Sequence, residues 1–210
     1  MKKSGEWKSS KLLQHDRSYL ERGFSSLAGV DEAGRGPLAG PVVAGAVIVR
    51  DFSFSVRVDD SKALSALARA AAYEEILEKC IVGVGVVDHD VIDEVNIHQA
   101  ALRAMETAVM KLRQAPDCVL IDGAKTPRLP FRQFPIVRGD SLSFSIACAS
   151  IVAKVTRDRI MDYYDAFYPR YGFKSHKGYG TEAHLAALGK YGPCEIHRQS
   201  FEPVRAWKLS

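Results

Sequence analysis

The stretch AGVDEAGRGPLAGPVVAGAVIV, residues 28–49, carries the pattern from which the fold is predicted. Its short apolar runs, bounded by Gly and Pro, predict two buried strands at 27–34 and 41–49. The first run stops at two adjacent acids, Asp31 and Glu32, which a Gly-Arg-Gly sequence follows. Clustered carboxylates next to a buried strand are costly unless something binds them. The stretch therefore predicts a functional site as well as a core.

The composition is that of a soluble globular protein. The chain has 210 residues, of which 47% are hydrophobic and 26% charged, enough for one large domain with its own core. No apolar stretch approaches the ~20 residues that span a bilayer, and the N-terminus lacks the apolar region of a secretory signal. The four cysteines show no C-x-x-C spacing, which predicts reduced core thiols and argues against a zinc site. We expect a cytoplasmic protein that does not associate with membranes.

The net charge of +4 is unevenly distributed along the chain. Residues 1–26 carry six Lys and Arg against three acids, and residues 168–210 carry seven against three. The middle, 27–167, carries sixteen against nineteen. An acidic centre between basic ends is typical of a metal site whose flanking segments meet a polyanion, although ordinary surface charge gives the same counts.

The rest of the chain alternates between strand and helix patterns. Three more strands are predicted at 80–89, 117–123 and 134–140. Helices are predicted from Asp60 or Ser61 to residue 79, over 90–114 and over 141–169, with a smaller helical element in the last forty residues. The first half of the helix at 141–169 is apolar nearly all round, which predicts that it is buried. This order predicts an α/β fold with a mixed β-sheet flanked by helices.

Three acids lie at the C-terminal ends of predicted strands: Asp31, Asp122 and Asp140. Ligands of open α/β sheets bind outside the carboxyl ends of the strands, so these side chains are expected to converge together with Glu32. Oxygen ligands without His or Cys suit Mg²⁺ or Mn²⁺. Two such ions roughly 4 Å apart form the arrangement that hydrolyses phosphodiesters.

Each acid also has a purely structural explanation. Asp140 precedes a predicted helix and could be its N-cap, Asp122 precedes Gly123 in a common turn pair, and Asp31 could be a surface acid at a strand end. Adjacent strand residues point to opposite faces, so Glu32 joins Asp31 only if the chain bends or its side chain reaches around the edge. Glycines after Glu32 would permit such a bend.

The glycine-rich segment does not match a nucleotide-binding loop. Pro37 and Pro41 remove two backbone N–H groups, the spacing is wrong for G-x-G-x-x-G, and the chain has no G-K-[ST] sequence. A glycine-flanked arginine instead lets a nucleic-acid backbone approach main-chain amides.

A set of motifs in this order resembles the bacterial ribonuclease HII family, the type 2 ribonucleases H. They are GVDEAGRGPLAGPVVAGAVI, DSKALS, VDHDVIDEVNIHQAALRAM, LIDG, RGDSLSFSIACASIVAKVTRDRIM, HKGYGTEAH and HRQSFEPV, which cover most of residues 28–204. Cys148 departs from the alanine that is more frequent in the family, a nearly isosteric change.

The resemblance implies a ribonuclease H-like fold with a helical C-terminal element. It also implies endonucleolytic cleavage, with 3′-hydroxyl and 5′-phosphate products, of RNA in RNA–DNA hybrids and at ribonucleotides embedded in duplex DNA. The implied metal ligands are Asp31, Glu32, Asp122 and Asp140. Gly34, Arg35 and Gly36 match the tripeptide that contacts the 2′-hydroxyl of the ribonucleotide, the group that distinguishes RNA from DNA. Tyr179 matches the tyrosine that stacks on the next sugar, although without the family it could be a core aromatic.

Three basic residues are candidates for phosphate contacts: Lys62, Lys154 and Arg157. The last two lie three residues apart on one helix face, and Arg157 could alternatively pair with Asp158 or Asp162. We expect a basic arm at 1–27, a catalytic core at 28–167 and a substrate-binding helical element at 168–210. We further expect a monomer that binds RNA–DNA hybrid and ribonucleotide-containing duplex, and acts in ribonucleotide and RNA primer removal from DNA.

Overall fold

The computed structural model describes residues 11–208. Its sheet has five strands: β1 (Leu27–Ala33), β2 (Val42–Val49), β3 (Cys80–Val87), β4 (Cys118–Asp122) and β5 (Arg132–Ile136). They lie in the order β3-β2-β1-β4-β5. The first three strands pair antiparallel, whereas β4 pairs parallel with both β1 and β5. The predicted mixed sheet is confirmed.

Seven α-helices surround the sheet in the described part of the chain: α1 (Lys11–Glu21), α2 (Ala66–Lys79), α3 (His89–Val95), α4 (Ile97–Met110), α5 (Phe144–Phe167), α6 (Phe173–His176) and α7 (Glu182–Tyr191). Short 3-10 helices span Gly139–Ser141 and Val204–Lys208. None of the helices within residues 11–208 combines the length and the apolarity needed to cross a bilayer.

Helix α2 starts later than predicted. Its N-cap is Ser65, whose side chain accepts the N–H of Ala68, and not Asp60 or Ser61. Asp60 instead accepts the backbone N–H of Lys62 at 2.9 Å within the preceding loop. A good capping residue thus stabilises a turn here, as short polar side chains often do outside helices.

The helix predicted over 90–114 is two helices, because the chain breaks at Asn96. This residue has φ +67° and its side chain accepts the N–H groups of His98 and Gln99, which caps α4. The fifth strand also differs, since β5 ends at Ile136 and Asp140 lies in the following 3-10 helix.

The long helix α5 packs tightly on one face of the sheet, as its small residues predict. A Cβ atom added at Gly29 of β1 would lie 2.1 Å from the carbonyl carbon of Ser145, so only glycine permits this approach. The first half of α5 is buried without interruption from Phe144 to Ala153. Helix α4 covers the opposite face of the sheet, with Ala100, Ala104 and Ala108 buried against it. The core therefore has two layers, one on each side of the sheet.

The C-terminal segment packs on the distal half of α5. Met161 of α5 shares a hydrophobic cluster with Ala39, Phe173 and Ile196, so α6 and the tail lie against the loop between β1 and β2. The predicted arm at 1–27 is described only from residue 11, where α1 begins, and its first ten residues lie outside the described part. The division into arm, core and C-terminal element stays a prediction.

Candidate active site

The parallel pair β1 and β4 brings two of the acids side by side. Their pairing ends at Val30 and Ile121, so Asp31 and Asp122 are the next residues in register. Strand β1 runs past both acids to Ala33 while paired with β2, close to the predicted strand at 27–34. The acids therefore meet at the point where β4 ends and β1 continues.

Asp122 also positions the fourth acid. Its Oδ1 accepts the backbone N–H of Gly139 at 2.6 Å, which fixes the 3-10 helix that carries Asp140. Asp140 is buried and does not cap α5, since that role belongs to Ser143, whose side chain accepts the N–H of Ile146. The structure thus assigns the N-cap to a residue other than Asp140.

Asp31 and Glu32 reach this edge from opposite faces of the sheet. Asp31 faces α5, beside Ser150, and its Oδ1 accepts the backbone N–H of Glu32 at 2.7 Å. Glu32 faces α4 and accepts a hydrogen bond from Arg35 Nη1 at 3.2 Å. Both residues follow Val30, the last β1 residue that pairs with β4, and β1 stays paired with β2 through both of them, so no break in the strand brings them together.

The electrostatics show that the four carboxylates share one environment. Burial, followed by the charges of Glu32 and Asp122, raises the pKa of Asp31 well above its ordinary value. Burial raises the pKa of Glu32, although Arg35 opposes the shift. The pKa of Asp140 is raised by burial and then by Asp122. Carboxylates that burial and mutual repulsion hold at raised pKa values favour a cationic ligand.

Lys62 lies close enough to this cluster for the charges of the acids to shift its pKa. Burial alone would lower its pKa, but the charges of Asp60, Asp140, Asp31 and Asp122 raise it above the ordinary value. The loop that carries Lys62 is held to α5 by a hydrogen bond from Ser150 Oγ to Ser61 Oγ at 2.9 Å.

The donor set fits a hard divalent cation. Within residues 11–208, no group of three or more His, Cys, Asp or Glu side chains is arranged so that it could hold a metal ion as a cage of protein ligands. Mg²⁺ rarely needs such a cage, because it binds through one or two carboxylates and completes its shell with waters and substrate phosphates. An all-oxygen set of neighbouring carboxylates, open on one side, therefore fits Mg²⁺ or Mn²⁺.

A cleft of about 230 Å³ opens beside the acids on the α4 side. Glu32, Asp122, Arg35, His98 and Lys125 contribute to its walls. Arg35 Nη2 donates to His98 Nδ1 at 2.9 Å, so the Arg35 side chain bridges an acid and a histidine. Neither His98 nor Lys125 lies at a predicted strand end or in a recognisable spacing, so no pattern in the sequence predicts a role for either residue.

The Gly34–Gly36 tripeptide begins two residues after Glu32, and its first glycine is sterically required. Gly34 has φ +99°, and a Cβ atom there would lie 2.0 Å from Nε of Arg157. A Cβ at Gly36 would lie 3.7 Å from Cε1 of Tyr179. The Tyr179 ring is 44% exposed, so it is not a core aromatic. The structure thus brings the tripeptide and the tyrosine together on the surface.

The other two basic candidates are not equally accessible. Lys154 is partly buried and pairs with Asp158 at 2.7 Å. Arg157 is 1% exposed, and its guanidinium donates to the carbonyls of Pro41, Lys177 and Ala39. A phosphate contact from Arg157 presumes an accessible side chain. The structure instead buries that side chain beneath the glycine tripeptide, where it pairs with no acid of residues 11–208.

A chain of neutral histidines lies behind Tyr179. His184 Nδ1 donates to the carbonyl of Tyr179 at 2.9 Å, and its Nε2 lies 3.1 Å from Nε2 of His197. His197 Nδ1 accepts the N–H of Cys194 at 3.0 Å, so its proton is on Nε2 and is donated to His184. Burial lowers the pKa of both rings, that of His197 to about 4. These histidines are structural supports of the turn that carries Tyr179.

Comparison with known proteins agrees with this geometry. Residues 28–204 match the family model described as Ribonuclease HII. A Ribonuclease HII of Geobacter metallireducens is 56% identical over 185 residues, covering 87% of this chain and 86% of that protein. The crystal structure of the ribonuclease H2 from Pyrococcus horikoshii OT3 superposes with a TM-score of 0.75 at 25% identity, covering 88% of this chain and 98% of that one.

A more distant structure shares the fold. Bst-RNase HIII in complex with Mn²⁺ superposes with a TM-score of 0.65 at 19% identity, over 88% of this chain and 69% of that one. The family match covers most of the chain, including every acid of the cluster. The chain therefore belongs to the ribonuclease HII family, and its activity is that of a ribonuclease H endonuclease.

Proposed function

We propose that this ribonuclease H incises duplex DNA on the 5′ side of an embedded ribonucleotide, in addition to cleaving the RNA strand of RNA–DNA hybrids. The observation that carries the proposal is the position of Gly34–Gly36, which begins two residues after Glu32 and lies next to the Tyr179 ring. A recognised ribose is thereby held in a fixed register with the acids. Ribonucleotide and RNA primer removal from DNA is the cellular role that follows from this specificity.

The residues divide into two groups by role. Asp31, Glu32, Asp122 and Asp140 would hold divalent ions, as the all-oxygen chemistry of the cluster favours. When bound there, Mg²⁺ or Mn²⁺ would supply the activation of water and the stabilisation of the leaving oxygen. The structural neighbour Bst-RNase HIII binds Mn²⁺, which supports this choice of ion.

The second group of residues would recognise the sugar by direct contact. Main-chain groups of Gly34, Arg35 and Gly36 would hydrogen-bond the 2′-hydroxyl, since a rigid backbone without Cβ atoms approaches closely. The exposed ring of Tyr179 would stack on the next, deoxyribose, sugar. Lys62, beside the acids, and Lys154, on α5, would contact phosphates. Because the 2′-hydroxyl is bound by protein, it takes no part in the chemistry, and the products are a 3′-hydroxyl and a 5′-phosphate.

The test is a cleavage map of a DNA duplex that contains one ribonucleotide, with Mn²⁺ and with Mg²⁺. We expect one cut, 5′ of the ribose, with a 3′-hydroxyl on the upstream DNA and no cut in the all-DNA duplex of the same sequence. Incision 3′ of the ribose, or a 2′,3′-cyclic phosphate, would exclude the mechanism. Equal cleavage of the all-DNA duplex would indicate a metal-dependent nuclease of another specificity.

A further inference from the structure

Two buried arginines converge beneath the Gly34–Gly36 tripeptide. Arg157 comes from α5 and Arg198 from the C-terminal tail, and they are 1% and 0% exposed. Neither forms an ion pair with any acid of residues 11–208, and burial, followed by the like charge of Arg157, lowers the pKa of Arg198 to about 9. Burying two cations without a carboxylate is expensive, so the contacts that compensate for it indicate what the pair does.

All of the hydrogen bonds that these side chains make go to backbone carbonyls. Arg198 donates to Gly34 at 2.6 Å, Arg35 at 3.0 Å and Gly40 at 3.0 Å, with a further bond to Pro41 at 3.2 Å. The loop from β1 to β2 is thus held at both of its ends by one planar group. Five donors in a rigid fork can do this, whereas the single ammonium of lysine cannot.

The Arg198 contacts also set the direction of the amides. In a trans peptide the C=O and the next residue's N–H point in opposite directions. Because the carbonyls of Gly34 and Arg35 turn inward to Arg198, the N–H groups of Arg35 and Gly36 turn outward. No hydrogen bond found among residues 11–208 uses either N–H. Two free donors therefore face the open side of the tripeptide.

Arg157 connects the same loop to the turn before Tyr179 and to the helix beneath the acids. Its Nε donates to Pro41 at 2.9 Å and its Nη1 to Lys177 at 3.0 Å, two residues before the tyrosine. The guanidinium carbon lies 5.9 Å from the centre of the Tyr179 ring. One helix, α5, thus carries this connection and also the segment packed behind Asp31.

We propose that Arg198 and Arg157 are positioning residues for ribose recognition. Arg198 aligns the outward N–H groups of Arg35 and Gly36, and Arg157 keeps that tripeptide and Tyr179 in register with the acids on β1. The inference rests on the proposed function, because it assigns to the tripeptide the reading of the 2′-hydroxyl. It adds two residues that touch neither substrate nor metal and act through the main chain.

The test compares Arg198→Lys and Arg157→Lys with Arg159→Lys, a matched control on the exposed side of α5 that pairs with Glu74. Binding is measured in Ca²⁺ with a duplex that holds one ribonucleotide and with the all-DNA duplex of the same sequence. We expect Arg198→Lys to lower the preference for the ribonucleotide by about tenfold, equivalent to ~1.4 kcal/mol. Affinity for the all-DNA duplex and the Mn²⁺ titration midpoint should change by less than about twofold, because surface contacts and acids are untouched.

Cleavage in Mg²⁺ separates the two arginines. Arg157→Lys should spread the cuts over neighbouring phosphates, because the Gly34–Gly36 tripeptide and Tyr179 are no longer held in register with the acids. Arg159→Lys should behave like the wild type. Full ribonucleotide preference and a single cut in both folded variants would overturn the inference. A wild-type protein without any preference would instead refute the proposed function.

A measurement on the wild type covers the case in which the variants do not fold. Fixed guanidinium groups give separate Nη resonances that exchange slowly with solvent in ¹⁵N NMR spectra. We expect this for Arg157 and Arg198 without substrate, and averaged resonances for Arg159. Averaged resonances for Arg198 would show that it does not hold the tripeptide, whatever the substrate preference.

Discussion

Asp31 and Glu32 are consecutive residues of β1 whose side chains lie on opposite faces of the sheet and nevertheless reach the same edge of it. Asp31 lies beside Ser150 of α5, and Glu32 bonds Arg35 on the α4 side. They meet because β4 ends at Asp122 while β1 continues to Ala33. Side chains from both faces of the sheet thus reach the space beyond the end of β4, so neither α4 nor α5 alone supports all of the acids.

Asp31→Asn should lower cleavage by about two orders of magnitude or more at saturating Mn²⁺, since it removes a proposed metal ligand. In metal-free buffer the variant should melt at a higher temperature than the wild type, because it removes a buried charge that repels its neighbours. Glu74→Gln, an exposed acid of α2, is the control. Activity within about tenfold of wild type would exclude Asp31 as a central ligand.

Asp140→Asn and Ser143→Ala should have opposite effects. The first should abolish most activity without loss of stability, because Asp140 belongs to the acid cluster. The second should cost about 1 kcal/mol of unfolding free energy, since Ser143 caps α5, and should leave activity per folded molecule nearly unchanged. Urea unfolding and single-turnover cleavage measure the two quantities. If Asp140→Asn keeps activity and loses stability, the residue is structural.

Tyr179→Ala should weaken cleavage at a single embedded ribonucleotide by about 10- to 100-fold, from a stacking contribution of ~1–3 kcal/mol. The melting temperature should change little, because the ring is exposed. Tyr163→Ala, which removes another exposed tyrosine, should leave cleavage unchanged. A large fall in melting temperature with normal activity per folded molecule would show that Tyr179 stabilises the fold by packing and does not contact the substrate.

The free energy of unfolding should decrease as the pH is lowered, because of the buried histidines. The pKa of His197 is about 4 in the folded protein, against an ordinary 6.5. Between these values the unfolded chain binds a proton that the native protein does not, so stability is lost as the pH falls through this window, by up to about 3 kcal/mol. The raised pKa values of Asp31, Glu32 and Asp140 act in the opposite direction in metal-free protein.

Comparison with His197→Asn separates these contributions. The variant should be less stable near neutral pH, yet its unfolding free energy should fall less steeply between about pH 6.5 and pH 4. Urea unfolding of both proteins in metal-free buffer at several pH values gives the two slopes. Equal slopes would show that His197 titrates alike in the folded and unfolded states.

The sequence alone was sufficient for features that depend on local pattern. Apolar runs bounded by Gly and Pro predicted the five strands, and the apolar first half of α5 predicted its burial, because burial of such surface is the main driving force of folding. Acids that follow these runs predicted the cluster at the carboxyl edge. The motif order identified the family.

The tertiary structure decided what depends on contacts between distant residues. A helical pattern continued through Asn96, but its backbone at φ +67° and its capping side chain divide the helix in two. Lys154 and Arg157 have the same spacing signal, yet Lys154 is partly buried and pairs with Asp158, whereas Arg157 is enclosed by three carbonyls. Arg198 lies 164 positions after Gly34 and donates to it at 2.6 Å. No local pattern encodes such a bond, because it forms only when the sheet, α5 and the tail pack together.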